Sequence, residues 1–454
     1  MSGVPVSANP ARLEQAIASL RSLSIETLTG NETTEHAVDG KTPEVVARPS
    51  SPQEISEAMS VAAEHGLSVT PLGGRTRTRL GNVPESLDLA IETTGLDQVL
   101  AHNAADLTAT VEAGITVSRL QEVLGEHGQF LAIDPPLPDR ATIGGTLAVG
   151  WSGPMTWQNW SPRDIVIGMR TVMADGTVTK TGGQVVKNVS GYDMARMHIG
   201  ALGTLGIIAE VSFKLTPLPA RQATVMATFD SDANCLGAAL GVYESSLVPL
   251  AISTLHGQKR GEGGGGRGEG QPSLMVRAGG RARSVRRQTD DVASIYKRFG
   301  AVQSAVIDGD DAAMMWRRVG DLGWADETAP LTGIRASVLP TDIPGVLHSM
   351  QELDDSSDLR WRATTQTSQG VIDIHWLNIE GESSPEHVRA AIAKTVQTIQ
   401  RVGGTAVVTH APTPIKETLD MWGQPTSAID SMRNLKRQYD PNHLLNPGRF
   451  MGGI

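Results

Sequence analysis

Three stretches of this sequence carry residue types that hold phosphate or let a ligand approach the backbone. The first is Pro71-Leu72-Gly73-Gly74-Arg75-Thr76-Arg77-Thr78-Arg79-Leu80-Gly81. Consecutive glycines expose backbone N–H groups, Thr76 and Thr78 add hydroxyl donors, and three arginines supply positive charge, which together make a phosphate cradle. The pattern is neither GxGxxG opening a helix nor a P-loop, so both common nucleotide fingerprints are absent. A solvated basic turn is the plainer alternative. The second stretch runs from Asp134 to Thr146. Its prolines, Pro135 among them, fix an extended approach, and Thr142 with Gly144 and Gly145 again offers donors and bare main chain. Two separated loops of this kind are what the diphosphate of a dinucleotide needs. The third stretch, Gly182 to Phe213, places Gly200, Gly203 and Gly206 at every third position and feeds a β-branched, apolar run from Ile207. A backbone without Cβ atoms is one that a ligand can approach closely; a glycine-rich turn before a core strand explains it equally well.

Elements of regular structure must position these loops. Pro43 to Pro49 reads as extended. Ser51-Pro52-Gln53-Glu54 then reads as a capping box with proline at the first helical position. Ile55, Met59, Ala62 and Ala63 make one apolar helical face, and Gly66 stops it. Leu67 to Thr70 is the next strand, so a β-α-β unit delivers the chain into the first loop. Strands are expected at 87–91, 107–112 and 130–133, and a helix at 116–128. A hairpin is expected over 165–180 around Ala174-Asp175-Gly176. The uncharged, glycine-rich segment from Arg140 to Arg163 is too broken for a membrane helix, which needs about 20 mostly apolar residues. It suits a buried wall against a large planar ligand. From Arg221 onward the texture changes. Strands at 224–229, 273–277, 333–339, 370–378 and 405–409 alternate with helices at 285–299, 310–319 and 385–401. This predicts an antiparallel sheet covered by helices, a second domain. Residues 261–270 (GEGGGGRGEG) read as a mobile hairpin tip. The arginines after them (Arg277, Arg281, Arg283, Arg286, Arg287) fit either an acidic partner or a solvated face.

The chain has 454 residues, too many for one ordinary core. A net charge of -10 argues against nucleic acid, which requires a basic footprint. The single cysteine, Cys235, excludes intramolecular disulfides and a cysteine-ligated iron–sulfur cluster. Residues 1–15 lack the basic and apolar regions of a signal peptide, so a reducing cytoplasm is expected.

The order of these motifs resembles the FAD-linked oxidases of the vanillyl-alcohol oxidase / p-cresol methylhydroxylase superfamily. The matching residues are 71–81, 135–145, 165–176, 182–208 and DPNHLLNPGRF at 440–450. Similarity is dense over 43–219 and in the last stretch, and thin between. Within the superfamily the chain is most similar to FAD-binding subunits of glycolate oxidase. The resemblance implies an α+β fold: a two-part FAD-binding domain of the p-cresol methylhydroxylase type and an antiparallel-sheet cap covered by helices. The expected division is an N-terminal helix and connector (1–40), the FAD domain (41–219), the cap (220–430) and a returning segment (431–454). FAD would meet Pro71, Gly73, Gly74, Arg75, Thr76 and Gly81 on one side. Pro135, Thr142, Gly144 and Gly145 would lie on the other. Gly203, Thr204, Gly206, Ile207 and Ile208 would line the adenine and ribityl portion, and Asn446 and Arg449 would return to the site from the tail. Some relatives attach FAD through a histidine in the first loop; residues 71–81 contain none, so non-covalent FAD is expected. A metal-using branch carries a His-rich HxGDGNxH pattern. Here only Asp373-Ile374-His375-Trp376 and Thr409-His410 stand near it, so no metal is expected.

With FAD bound, the implied reaction is oxidation of a 2-hydroxy acid of the glycolate or D-lactate class, by hydride transfer to the flavin while a base takes the hydroxyl proton. Arg317, Arg318 and Arg335 are candidates to clamp the substrate carboxylate, and each could instead pair with a local carboxylate. His375 could be base or ligand, or a satisfied core histidine. Tyr192 and Lys187 lie in the most specific passage and could shape the site. The resemblance also implies a second flavoprotein and an iron–sulfur subunit as partners, with attachment to the inner membrane only through them. A freestanding oxidase using oxygen, and a non-catalytic electron relay, are the competing readings.

Overall fold

The computed structural model describes residues 10–151, 153–155, 161–184, 192–257, 271–325, 331–355, 359–378 and 384–454. The chain divides into two compact units. One comprises residues 1–152, 161–218 and 416–454; the other comprises 153–160 and 219–415.

The first unit opens with helix α1 (Pro10–Ser22) and, among the described residues, contains two larger sheets and one two-stranded pairing. The first sheet joins β1 (Glu26–Thr29), β2 (Val45–Arg48), β3 (Val69–Leu72) and β4 (Leu89–Glu92) in the order β1-β2-β4-β3. Strands β2, β4 and β3 run parallel, because helix α2 (Pro52–His65) supplies the crossover that parallel strands require. Ser51 caps α2 by accepting from the Glu54 amide, Pro52 is the first helical residue, and Gly66 ends it at φ 61°. The expected capping box differs in one arm: Glu54 accepts from the amide and hydroxyl of Ser50, at 2.8 Å each, rather than from Ser51. Ile55, Ala58, Met59 and Ala62 of α2 pack with Val45, Val69, Leu89 and Ile91 into one core.

The second sheet has the order β5-β6-β10-β8-β9, with β5 (Val99–Asn103), β6 (Thr108–Glu112), β8 (Val166–Val172), β9 (Val178–Gly182) and β10 (Ile207–Lys214). All its pairings are antiparallel. Gly176 turns β8 into β9 at φ 85°. Short helices α3 (Val117–Gly125), α4 (Ile143–Val149), α5 (Pro162–Ile165) and α6 (Ala195–His198) surround it. The strand expected over 130–133 shrinks to β7 (Gln129–Phe130), paired with β11 (Thr216–Pro217).

The second unit is built on one eight-stranded antiparallel sheet. Its strands are β12 (Arg221–Thr228), β13 (Ala251–His256), β14 (Ser273–Gly280), β15 (Gln303–Ile307), β16 (Thr332–Ser337), β17 (Leu359–Gln366), β18 (Val371–Asn378) and β19 (Thr405–His410). They lie in the order β15-β12-β14-β13-β17-β18-β16-β19. Helices α7 (Asp232–Tyr243), α8 (Ala282–Arg298), α10 (Ile343–Asp355) and α11 (Pro385–Arg401) cover one face. Into that face point Val225, Val276, Ile252, Trp361, Ile374 and Trp376, all buried. On the opposite face helix α9 (Gly309–Asp321) covers one end, where Trp316 donates to the Thr224 hydroxyl at 2.9 Å. The glycine-rich segment at 261–270 lies outside the described residues.

After α12 (Thr413–Lys416) the chain returns to the first unit through α13 (Ile429–Tyr439). Its last segment docks on β3: Val69 donates to the Leu444 carbonyl at 2.6 Å and Asn446 donates to the Val69 carbonyl at 2.8 Å. Among the described residues no helix is long and apolar enough to cross a membrane.

Candidate functional site

The three stretches and the tail meet in a cleft of the first unit. Its lining includes Pro71, Gly73, Gly74, Arg75, Thr76, Thr142, Gly144, Gly145, Gly203, Gly206, Ile207, Ile208, Asn446 and Arg449, all anticipated from sequence. Gly81, Pro135 and Thr204 stand outside the lining. Gly81 packs against the Arg449 carbonyl. The Thr204 hydroxyl donates to the Ala201 carbonyl at 2.7 Å.

Four of the glycines are also required by contacts within the protein. A Cβ on Gly73 would strike the Thr142 hydroxyl, and one on Gly74 would overlap the Arg140 carbonyl. A Cβ on Gly144 would lie 2.9 Å from Ala113, and one on Gly206 would lie 2.7 Å from Thr171. The bare backbone is therefore approached by protein first: the two loops touch each other, and the cleft forms beside that contact.

The loops also differ in what they have left to give. Ile143 donates to the Ile115 carbonyl (3.0 Å) and Gly144 to the Ala113 carbonyl (2.7 Å). Gly145 donates to the Thr142 hydroxyl (3.2 Å), the N-cap of α4. These amides, expected as open donors, are already used. In the first loop, among the described residues, the amides of Gly73, Gly74, Arg75 and Thr76 make no backbone hydrogen bond. These four residues are half-buried at the cleft, so their N–H groups are open to an acceptor bound there. Arg75 turns the loop at φ 57°, but its guanidinium reaches Glu35, donating to that residue's carbonyl at 2.9 Å. The expected charge at this point is thus partly engaged by the protein.

The tail supplies the buried charge. Arg449 is 4% exposed and donates through Nη2 to the carbonyls of Thr78 (2.7 Å) and Leu80 (2.6 Å). Burial pushes its guanidinium below the usual arginine range, against the pull of Asp39. Its Nε has no partner among the described residues, nor has Oδ1 of Asn446, whose Nδ2 donates to the Leu202 carbonyl at 2.6 Å. A buried cation without a carboxylate at ion-pair distance is costly unless a ligand supplies the counter-charge.

Several residues that sequence reading missed hold this arrangement. Lys436 is buried and donates to Asp440 (2.6 Å) and to the carbonyls of Thr204 (2.9 Å) and Leu445 (2.8 Å), tying the GALGTLG turn to the tail. Asp440 in turn accepts from the amides of Leu444 and Leu445. Lys416 pairs with Asp39 at 2.5 Å and donates to the Arg79 carbonyl; burial pushes its ammonium down to about 8 and the Asp39 carboxyl up. His198 lines the cleft, and burial pushes it down to about 4, so it stays neutral. The i,i+4 spacing of Lys436 and Asp440 was visible, but nothing in it signalled burial.

The candidate chemical residues lie elsewhere. In the second unit, Arg335 on β16 stands opposite Asp373 on β18, and Nη1 contacts both carboxylate oxygens at 3.1 Å. His375 is buried and stacks on His410 with ring centroids 6.0 Å apart. Gly323 leaves room for His375, since a Cβ there would sit 2.6 Å from Nε2. Strand register puts Arg335, Asp373, His375 and Arg362 on the sheet face opposite the α7, α8, α10 and α11 layer. Arg317 lies 3.6 Å from Asp321 on α9. Tyr192 is 92% exposed. Lys187 lies outside the described residues. Among the described residues no group of three or more His, Cys, Asp or Glu side chains is placed to hold a metal.

Residues 43–182 match the model of an FAD binding domain, and residues 218–450 match that of the C-terminal domain of FAD linked oxidases. The chain is 25% identical to glycolate oxidase subunit GlcD of Bacillus subtilis, over 90% of this chain and 89% of that one. It is 26% identical to a mitochondrial D-lactate dehydrogenase [cytochrome] of Arabidopsis thaliana, over 90% and 73%. Among solved structures, p-cresol methylhydroxylase with substrate bound superposes with a TM-score of 0.74 at 14% identity, covering 97% of each chain.

Proposed function

The chain belongs to the FAD-linked oxidases, and on that premise we propose that it oxidises a small 2-hydroxy acid of the glycolate or D-lactate class. The observation that carries the reading is the pairing of unused amides at Gly73 to Thr76 with the buried Arg449 charge, a donor set that fits a diphosphate. In this reading those residues hold the FAD diphosphate, Asn446 and Gly203 to Ile208 border the rest of the cofactor, and FAD is held non-covalently.

Bound FAD supplies a two-electron acceptor for the hydride on the substrate's C2. The remaining work falls to side chains of the second unit. Arg335, fixed by Asp373, orients the substrate carboxylate. The imidazole of His375, held by its stack on His410, takes the C2 hydroxyl proton. The chain then hands its electrons to a partner protein: the similarity to a subunit supports this, and one cysteine cannot ligate an iron–sulfur cluster.

The test is anaerobic addition of glycolate, D-lactate and simple primary alcohols to the FAD-loaded protein. The blue absorbance band should bleach with a 2-hydroxy acid and persist with the alcohols. Bleaching by alcohols alone, or by nothing in the panel, would remove the hydroxy-acid assignment while leaving the FAD site standing.

A further inference from the structure

Helix α8 begins as a helix selected for stability would not. Its N-cap is Arg281, which makes no side-chain cap. Helices α2, α3, α7 and α11 all carry Ser or Thr there, each accepting a first-turn amide. The first turn of α8 contains no acidic residue. It carries Arg283 instead, with Arg286 and Arg287 directly after it. Positive charge at this end opposes the helix dipole, and Arg283 faces Arg287 one turn along, a like-charge pair. Strand pairing adds a fifth arginine, since Arg221 lies opposite Gly280, the residue before Arg281. All five are exposed, and among the described residues none of them makes an ion pair. Asp290 and Asp291 follow on the same helix without closing on them.

We propose that this turn of α8, with Arg221, is a docking surface for an acidic protein whose Asp and Glu side chains the guanidinium forks grip in pairs. The proposal stands apart from whatever the cleft binds. Two observations select this occupant. The cluster is all arginine, and the planar fork of arginine matches carboxylates in a way that lysine does not. The helix also has no apolar surface left for a bilayer: Val292, Ile295 and Tyr296 are buried in the core with Val225 and Val276. The chain as a whole carries a net charge of -10. A cationic patch on such a chain steers an acidic protein into one orientation.

The experiment uses the full chain and two triple variants, R283E/R286E/R287E and R283K/R286K/R287K. The probes are a labelled poly-L-glutamate peptide, phosphatidylserine-containing vesicles and a short DNA duplex. Wild type should bind the peptide at low salt, weakening as salt rises, and more tightly than it binds vesicles or duplex. The Glu variant should lose roughly tenfold or more of that affinity. The Lys variant should lose about threefold, because charge remains while the fork is gone. The melting temperature serves as the folding control, because the Glu variant gains charge suited to the helix dipole but sets like charges at 283/287, 286/290 and 287/291. Equal peptide binding by wild type and the Glu variant, tighter binding of vesicles or duplex, or unchanged affinity in the Lys variant would each overturn the proposal.

Discussion

Replacing Arg449 by methionine tests how the cleft holds a diphosphate. The side chain is 4% exposed, its Nη2 bonds the carbonyls of Thr78 and Leu80, and its Nε has no partner among the described residues. A hydrogen bond to a charged group contributes about 1.5–3 kcal/mol. At 1.4 kcal/mol per tenfold, Arg449→Met should weaken FAD roughly 10- to 150-fold. The fold itself responds through two opposing effects. The variant leaves two carbonyls without their donor, at about 1–3 kcal/mol each, but also removes a desolvated cation, which offsets part of that. Arg449→Lys keeps the charge, loses the planar fork, and should fall between wild type and Met. The assay is titration of apoprotein with FAD, read by quenching of flavin fluorescence, with the apoprotein melting temperature as the control. A dissociation constant within about twofold of wild type, in a variant that melts normally, would refute the reasoning.

Three other perturbations follow from the same geometry. Gly74→Ala must push the first loop off the Arg140 carbonyl; overpacking of this kind costs about 1–3 kcal/mol and should lower both the melting temperature and FAD affinity. Lys436→Met leaves Asp440 buried without its partner, a loss of about 3–5 kcal/mol that urea unfolding would register. His198 bears on acid stability. Above its ordinary value of 6.5 both folded and unfolded chains hold the ring neutral. As pH falls from there to about 4, only the unfolded chain takes up the proton, so stability drops through that window by roughly 3 kcal/mol. His198→Gln should flatten that part of a urea-midpoint profile against pH, and an unchanged slope would contradict it.

How far the sequence could be read depended on whether a local pattern had a local cause. Strand β2, helix α2 with its Ser51 cap and Gly66 stop, and the Asp-Gly hairpin of β8 and β9 were legible because periodicity and turn chemistry decide them. Strand β15 was not, since its residues are almost all exposed and only pairing with β12 makes it a strand. Helix α7 was not expected, and it carries the poor helix formers Gly237 and Gly241. Both are needed because the Phe299 ring packs where their Cβ atoms would stand, 2.9 and 2.8 Å away. Strand β17 alternates, but its inward residues Leu359, Trp361, Ala363 and Thr365 are interleaved with Arg360 and Arg362. The cleft follows the same rule. Its lining was visible as glycine and threonine spacing. Which amides stay open, and that Lys436 and Arg449 would be buried, depend on contacts between segments far apart in sequence, such as Gly144 with Ala113 and Lys436 with Thr204.

The central claim is that a diphosphate is held by the amides of the first loop and not by those of the second. Amide hydrogen exchange of apoprotein with and without FAD tests it most directly. The account predicts that residues 73–76 exchange freely in the apoprotein and become protected by FAD, while residues 143–146 are protected in both states. Protection that appears only at 143–146, or none at 73–76 under saturating FAD, would contradict it.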